Sequence, residues 1–146
     1  KTNQYEADTI SLVVKAINSL YESHQKEISH RSIGIITPYR AQIAKIKDKL
    51  LTENINIENL SIDTVERYQG GARDIIILSL CTNNESQLSA MASLSKEGVD
   101  RKLNVALTRA KEQIILIGNK EILQKNTLYR SLLQTYYPID VICLLK

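Results

Sequence analysis

Apolar residues recur along the chain with two different periods, which predicts a mixture of helices and strands. In several stretches they return every three or four positions, the spacing of a helix that packs one face on a core. The first of these stretches follows Asn3 and Glu6, which resemble an N-cap with its reciprocal glutamate. Helices are therefore predicted over residues 6–24, after Pro38 through Ile43, Ile46 and Leu50, over 101–111 and over 128–137.

Short continuous runs of isoleucine, valine and leucine lie between the helical stretches. Such runs are typical of strands that are buried on both faces of a parallel sheet. They predict strands at 33–36, 60–65, 74–80 and 112–117, with a last apolar run at 139–145. Residues 82–98 are rich in serine and asparagine and predict a loop. Strands that alternate with helices predict a three-layer α/β domain with a mainly parallel sheet.

Length and composition add that this is one domain. The 146 residues, 43% hydrophobic and 24% charged, fit a single globular domain over residues 1–146. We find no internal repeat or low-complexity tract in the sequence. The formal net charge of +3 is too small to identify a nucleic-acid-binding protein by itself, so that function must be argued from individual residues.

Cysteine and histidine positions predict no metal site. Cys81 and Cys143 lie far apart beside apolar runs, which indicates buried thiols in a reducing compartment. His24 and His30 have a spacing that suits neither one helix face nor a usual pair of metal ligands. No signal peptide and no apolar run of about 18 residues occurs. We therefore expect a soluble, monomeric, intracellular protein without a membrane partner, cytoplasmic or, in a eukaryote, nuclear.

The stretch RKLNVALTRAK, residues 101–111, predicts a helix with two unlike faces. Its apolar face has i, i+3, i+4, i+7 spacing and consists of Leu103, Ala106, Leu107 and Ala110. Its polar face carries two guanidinium groups and two neutral hydrogen-bonding groups, from Arg101, Asn104, Thr108 and Arg109. No carboxylate in the stretch neutralises this charge, so the face either is solvated or binds an anion. Val105, near the middle of the polar face, favours cover by another domain or by nucleic acid.

Two junctions carry further candidate residues. Thr37 and Pro38 end a predicted strand, and Tyr39 and Arg40 begin the helix after it. The second junction, Tyr68-Gln69-Gly70-Gly71, joins two predicted strands and is too short for a helical crossover. Its glycines allow either close backbone approach to a ligand or a tight return into the sheet, and the residues alone do not decide between them.

Three of these stretches resemble, in the right order, the later motifs of superfamily 1 helicases of the Upf/senataxin type. They are IGIITPYRAQ at 33–42, IDTVERYQGGARDIIILSL at 62–80 and RKLNVALTRAK at 101–111. Asn3-x-x-Glu6-Ala7 resembles the start of the second RecA-like domain in that family. The resemblance covers most of the chain and implies a RecA-like fold of the P-loop NTPase type. No GxxxxGK[ST] occurs, so this domain would lack its own phosphate loop.

The resemblance further implies the second motor domain of an ATP-dependent DNA or RNA helicase. ATP and Mg²⁺ would be held mainly by the first RecA-like domain of the complete protein, and the isolated chain would be inactive. Single-stranded nucleic acid would cross both domains. Arg109 would act as the arginine finger that stabilises the transferring phosphoryl group, and Arg40 is a second candidate for that catalytic role.

The same resemblance assigns binding residues. The nucleotide-binding positions would be Gln69, Gly70 and Tyr39. The nucleic-acid-binding positions would be Thr64, Asn104 and Thr108. Because these side chains suit phosphate rather than base contacts, little sequence readout is expected.

Two departures from the family pattern keep an alternative open. Ala72 stands where an acidic residue is usual, and Glu66 stands where aspartate is common. Loss of the acidic residue favours a catalytically inactive, helicase-like module that binds nucleic acid or a protein partner. A flavodoxin-type domain would need a phosphate-binding glycine loop followed by a helix, and Gly70 and Gly71 precede a predicted strand instead.

Overall fold

A computed structural model of the protein describes residues 1–68, 71–92 and 101–136. In chain order its elements are α1 (Gln4–Ser23), β1 (Ile33–Thr37), α2 (Arg40–Thr52), β2 (Leu60–Thr64), β3 (Arg73–Ser79), α3 (Glu85–Ala92), α4 (Arg101–Arg109), β4 (Ala110–Ile117), α5 (Lys120–Leu123) and α6 (Thr127–Thr135). Predicted and observed boundaries of the four strands agree within two residues at each end.

The strands form one parallel sheet in the order β2-β1-β3-β4. Ile33 of β1 pairs with Leu60 of β2 and with Ile75 of β3, so the three strands begin at nearly the same level. All five residues of β1 are buried, which explains its unbroken apolar sequence. The predicted α/β class with a parallel sheet is confirmed.

Two hydrophobic cores lie on opposite faces of the sheet. The first joins α1 and α2 to alternate strand residues such as Ile35 and Ile77. The second joins α3, α4 and α6 to residues of the other parity, such as Ile36 and Ile76. The domain therefore has the predicted three layers, with helices covering both faces of the sheet.

The prediction of a loop over 82–98 is wrong in part, because it contains α3. The Asn84 side chain accepts a hydrogen bond from the Gln87 backbone N–H at 3.0 Å, as a helix N-cap does, and Leu88 is buried in the second core. Asparagine, taken as a loop residue, here supplies a cap. Residues 93–100 lie outside the described part of the chain.

Two features of α4 correct the sequence interpretation. The helix ends at Arg109 rather than at 111, and Ala110, assigned to its apolar face, begins β4. Val105 is half-buried and packs against the second core, so packing within the chain accounts for an apolar residue there. Cover by nucleic acid or another domain is not required at this position.

The remaining predictions about elements divide between confirmed and untested ones. α6 corresponds to the helix predicted over 128–137, whereas α5, capped by the Asn119 side chain, was not predicted. Cys81 is buried, as expected for a structural thiol. The apolar run at 139–145, with Cys143, lies outside the described residues.

Candidate functional site

The predicted site residues divide between two edges of the sheet. We call the edge where strands begin the amino edge and the edge where they end the carboxyl edge. Arg109 lies at the amino edge, because the next residue, Ala110, pairs with Arg73 at the start of β3. Arg40 follows Thr37 at the carboxyl edge. The register separates the two edges by roughly 20 Å along the strands. The structure therefore does not bring the two candidate catalytic arginines together.

Arg73 organises the amino edge. Its side chain is only 7% exposed, and its Nε and Nη2 lie 3.1 and 2.9 Å from Ser61 Oγ on β2. Its Nη1 donates to the backbone carbonyls of Gly71 and Ala72, at 3.4 and 3.2 Å. Its guanidinium carbon lies 5.8 Å from the centroid of the Tyr68 ring, a cation–π distance. Arg73 thus links β2, β3 and the backbone just before β3.

Tyr68 lies in a slot above Gly34 of β1. A Cβ atom added at Gly34 would lie 2.0 Å from the Tyr68 hydroxyl oxygen and 2.8 Å from Ile76 Cδ1. Burial raises the pKa of the Tyr68 phenol, while the positive charges of Arg73 and Arg109 act in the opposite direction. A glycine in β1 thus makes room for a buried phenol that lies near two guanidinium groups.

Arg109 carries a buried donor atom without a partner in the described part of the chain. It is the last residue of α4, whose Leu103 and Ala106 are buried in the second core. Its Nε is buried and has no hydrogen-bond partner among the described residues. An unpaired buried donor costs free energy that an incoming acceptor would recover. Arg109 is therefore suited to an anion.

A shift of register follows Arg109. Arg73 pairs with Ala110 whereas Ile75 pairs with Gln113, so β4 contains one more residue than β3 over this span. Such bulges change the direction of neighbouring side chains and are frequent beside functional sites. The end of α4 and the bulge that follows it together fix the backbone position from which the Arg109 side chain extends.

At the carboxyl edge, Tyr39, Arg40 and Thr64 lie near one another, because Thr37 and Thr64 are partners at the ends of β1 and β2. Arg40 is exposed and free to meet a phosphate. Tyr39 is half-buried, and burial raises the pKa of its phenol above the ordinary value. Thr64 is only 4% exposed, and its carbonyl accepts from the backbone N–H of Tyr68 at 2.9 Å. Arg40 is therefore the most accessible of these three residues.

The other predicted site residues lie on α4 or outside the residues that the structure describes. Asn104 and Thr108 are exposed, and the Thr108 hydroxyl donates to the Val105 carbonyl at 3.0 Å. Gln69 and Gly70 lie outside the described residues, as does the side chain of Arg101. The described residues on either side are held in place, Tyr68 by burial and Gly71 and Ala72 by hydrogen bonds from Arg73.

Sequence reasoning missed Gly34, Tyr68, Arg73 and Ser61 as parts of the amino edge. An isolated glycine within a β-branched run indicates close approach by another group, so Gly34 carried a usable signal. Arg73 carried none, because its partner Ser61 lies in another strand, with β1 between them.

Within the described ranges, no group of three or more His, Cys, Asp or Glu residues could hold a metal ion. No helix in the described part of the chain is long and apolar enough to cross a membrane.

A parallel sheet with helices on both faces and arginines at its edges defines an α/β domain of the RecA-like type. Residues 1–121 match the protein family described as AAA domain. The chain is 37% identical over 123 residues to DNA polymerase alpha-associated DNA helicase A of Saccharomyces cerevisiae, covering 84% of this chain and 17% of that protein. It is 32% identical over 119 residues to RNA helicase Mov10l1 of Mus musculus, covering 79% and 10%.

A third relative, Helicase SEN1 of Saccharomyces cerevisiae, is 32% identical over 138 residues, covering 92% of this chain and 6% of that protein. The chain belongs to the AAA domain family, as a superfamily 1 helicase domain of the Upf/senataxin type. The resemblance stated from the motifs is thereby confirmed. The chain spans less than a fifth of the length of each of these relatives.

Proposed function

We propose that this chain is the second motor domain of an ATP-dependent helicase and that Arg109 is its arginine finger. The observation that carries the proposal is the buried Nε of Arg109, which has no hydrogen-bond partner among the described residues. Arg73 and Tyr68 lie beside it at the amino edge.

The position of Arg109 suits that chemistry. Leu103 and Ala106 anchor α4 in the second core, so the backbone at Arg109 is held without help from its own side chain. Phosphoryl transfer spreads negative charge over the oxygens of the transferred group, and a guanidinium can stabilise two of them at once. Partial burial strengthens this interaction because fewer water molecules screen it.

The other parts of the ATP site and of the nucleic-acid site would be shared between two motor domains. We propose that the first RecA-like domain of the complete protein holds ATP and Mg²⁺, since this sequence has no phosphate loop. Gln69 and Gly70, which precede β3 in the sequence, remain the proposed nucleotide contacts. Tyr39 and Arg40 lie at the other edge, so we propose that they contact the nucleic acid together with Thr64.

A second function has one observation in its favour. Ala72 is half-buried at the amino edge and offers no carboxylate to a nucleotide. A helicase-like module that binds nucleic acid or a partner without hydrolysing ATP would tolerate this. In that case the complete protein would bind single strands but show no ATP turnover stimulated by them.

The test is Arg109→Ala in the complete protein. ATP turnover should fall by a factor of about 10³ or more, while the melting temperature and single-strand affinity stay near wild type. Arg109→Lys should restore little, because one ammonium group cannot replace the planar fork of donors.

Arg130→Ala is a matched control, because Arg130 is exposed and its Nε donates to the Gln124 carbonyl at 2.7 Å, far along the chain from the proposed site. It should leave turnover unchanged. If Arg109 were only a surface arginine, its removal would cost about 1 kcal/mol or less of stability and leave turnover intact. Near wild-type turnover in Arg109→Ala would therefore refute the finger assignment.

A further inference from the structure

Each of the first three residues is attached to the carboxyl edge. Lys1 Nζ lies 5.4 Å from the centroid of the Tyr39 ring. The Thr2 carbonyl accepts a hydrogen bond from Asn83 Nδ2 at 3.0 Å. The Asn3 backbone N–H donates to Gln42 Oε1 at 2.7 Å, and the Asn3 carbonyl accepts from Gln42 Nε2 at 2.9 Å. The chain therefore enters the domain through contacts with two separate segments.

We call Asn3, Gln42 and Asn83 the entrance clamp. Gln42, on the first turn of α2, is fully buried, so both of its bonds to the half-buried Asn3 backbone are partly shielded from water. Asn3 also donates from its side chain to Asn83 Oδ1 at 2.6 Å, and its own Oδ1 accepts from the Glu6 backbone N–H at 3.0 Å. The predicted N-cap role of Asn3 is thus confirmed, but the predicted reciprocal bond is not formed, because the Asn3 backbone N–H donates to Gln42 instead of Glu6.

Glu6 extends this network into the sheet. Its side chain is 2% exposed, and its Oε2 accepts from Ser79 Oγ at 2.6 Å and from the Cys81 backbone N–H at 2.9 Å. Cys81 has a φ of 51°, a left-handed conformation that residues with a Cβ seldom adopt. The bond to Glu6 helps to hold that strained backbone just after β3. The chain entrance, α1, α2 and the end of β3 are thereby joined.

Stability alone does not explain this choice of residues. Burying the Glu6 carboxyl group and the Gln42 amide costs desolvation, and well-packed apolar side chains would often be as stable. The rest of the contact between α1 and α2 is apolar, through residues such as Ile10, Val14 and Ile46. Directional hydrogen bonds differ from apolar packing in that they specify one orientation of the groups they join. The clamp therefore fixes where the chain enters relative to Tyr39 and Arg40.

We infer that the entrance clamp is a positioning device that couples the segment preceding Lys1 to the carboxyl edge, so that movement of the first motor domain reaches the nucleic acid. This inference rests on the proposed function, since it assumes a motor domain upstream. Coupling between distant sites can be carried by hydrogen-bond networks and rigid elements, and the clamp is such a network between the chain entrance and the carboxyl edge.

Asn83→Ala in the complete protein tests the inference. Asn83 is exposed, so its removal deletes the bonds to Thr2 and Asn3 without opening the core. ATP turnover stimulated by single strands should stay within about twofold of wild type, while base pairs unwound per ATP should fall by at least roughly threefold, because two hydrogen bonds are lost and each is worth a factor of about three to ten. Amide hydrogen exchange of residues 2–8 should accelerate in the same variant.

Asn59→Ala is the matched control. Asn59 is also exposed and donates from Nδ2 to a carbonyl distant in sequence, that of Ile28, at 3.1 Å. It should change neither unwinding per ATP nor exchange at residues 2–8. An equal loss of unwinding per ATP in both variants would overturn the inference.

Two further outcomes count against the clamp. Unchanged exchange in Asn83→Ala would show that these bonds do not hold the entrance, and faster exchange with unchanged unwinding per ATP would show that they do not couple. If wild-type protein itself hydrolyses no ATP, the proposed function fails. The exchange measurement still decides then whether the entrance is held.

Discussion

Gly34→Ala should destabilise the domain, because the added methyl group would collide with Tyr68. The Cβ atom would lie 2.0 Å from the tyrosine hydroxyl oxygen, 2.8 Å from Ile76 Cδ1 and 3.0 Å from Tyr68 Cζ. Atoms at such distances overlap, so the ring must leave its slot or β1 must shift. Either movement also disturbs the cation–π contact between Tyr68 and Arg73.

The expected cost follows from the packing of this slot. Alanine in a strand interior is in itself no worse than glycine, so the penalty comes from the collision and not from the backbone. Inserting a group into a packed core costs typically about 1–3 kcal/mol. Since three atoms of two buried side chains lie within 3.0 Å, we expect about 2 kcal/mol or more of lost unfolding free energy.

Urea unfolding followed by circular dichroism measures this loss. Gly118→Ala is the control, because its Cβ would meet the ends of the flexible Leu123 and Leu80 side chains at 3.0 and 3.2 Å, and a cost below about 1 kcal/mol is expected. Tyr68→Phe removes the oxygen of the closest contact, so the double variant should recover about 1 kcal/mol relative to additivity. A Gly34→Ala protein within about 0.5 kcal/mol of wild type, or strict additivity, would refute the slot.

Three further predictions follow from other parts of the molecule. Burial raises the pKa of Glu6 above 4.5, although hydrogen bonds from Ser79 and Cys81 act to lower it. Between the pKa of the unfolded chain and the higher pKa of the folded chain, the folded chain therefore keeps a proton that the unfolded chain has released. Stability falls as the pH rises through this range. Glu6→Gln should flatten that slope in urea titrations from about pH 4 to 7, and an unchanged slope would contradict the assignment. In the complete protein, Thr64→Ala should weaken salt-dependent binding of different single strands alike, because the proposed contact is to phosphate; a loss confined to one base sequence would indicate base readout. The isolated chain should show no ATPase above background for want of a phosphate loop, and magnesium-dependent turnover that co-purifies through several columns would disprove this.

The sequence by itself determined the class of fold and the family. Unbroken apolar runs such as 33–36 identified strands buried on both faces, and helical periodicity identified α1, α2 and α6, because each period reflects the backbone geometry of one element. Three ordered motifs identified the helicase family, because a motif consists of residues that are adjacent in the sequence. The prediction of a loop where α3 lies was wrong because serine and asparagine are common both in helix caps and in loops.

Only the tertiary structure decided which candidate residues lie together. The sequence pattern predicted that Glu6 is a partner in a local helix cap. In the structure its carboxyl group accepts hydrogen bonds from Ser79 and from the Cys81 backbone, more than 70 positions away. Arg73 and Arg109 lie side by side because β3 and β4 are neighbours in the strand order. Strand order and register depend on how both cores pack at once, which no local spacing encodes. Parallel strands bring residues from distant parts of the chain to one edge, and therefore the site, unlike the elements, is a property of the whole fold.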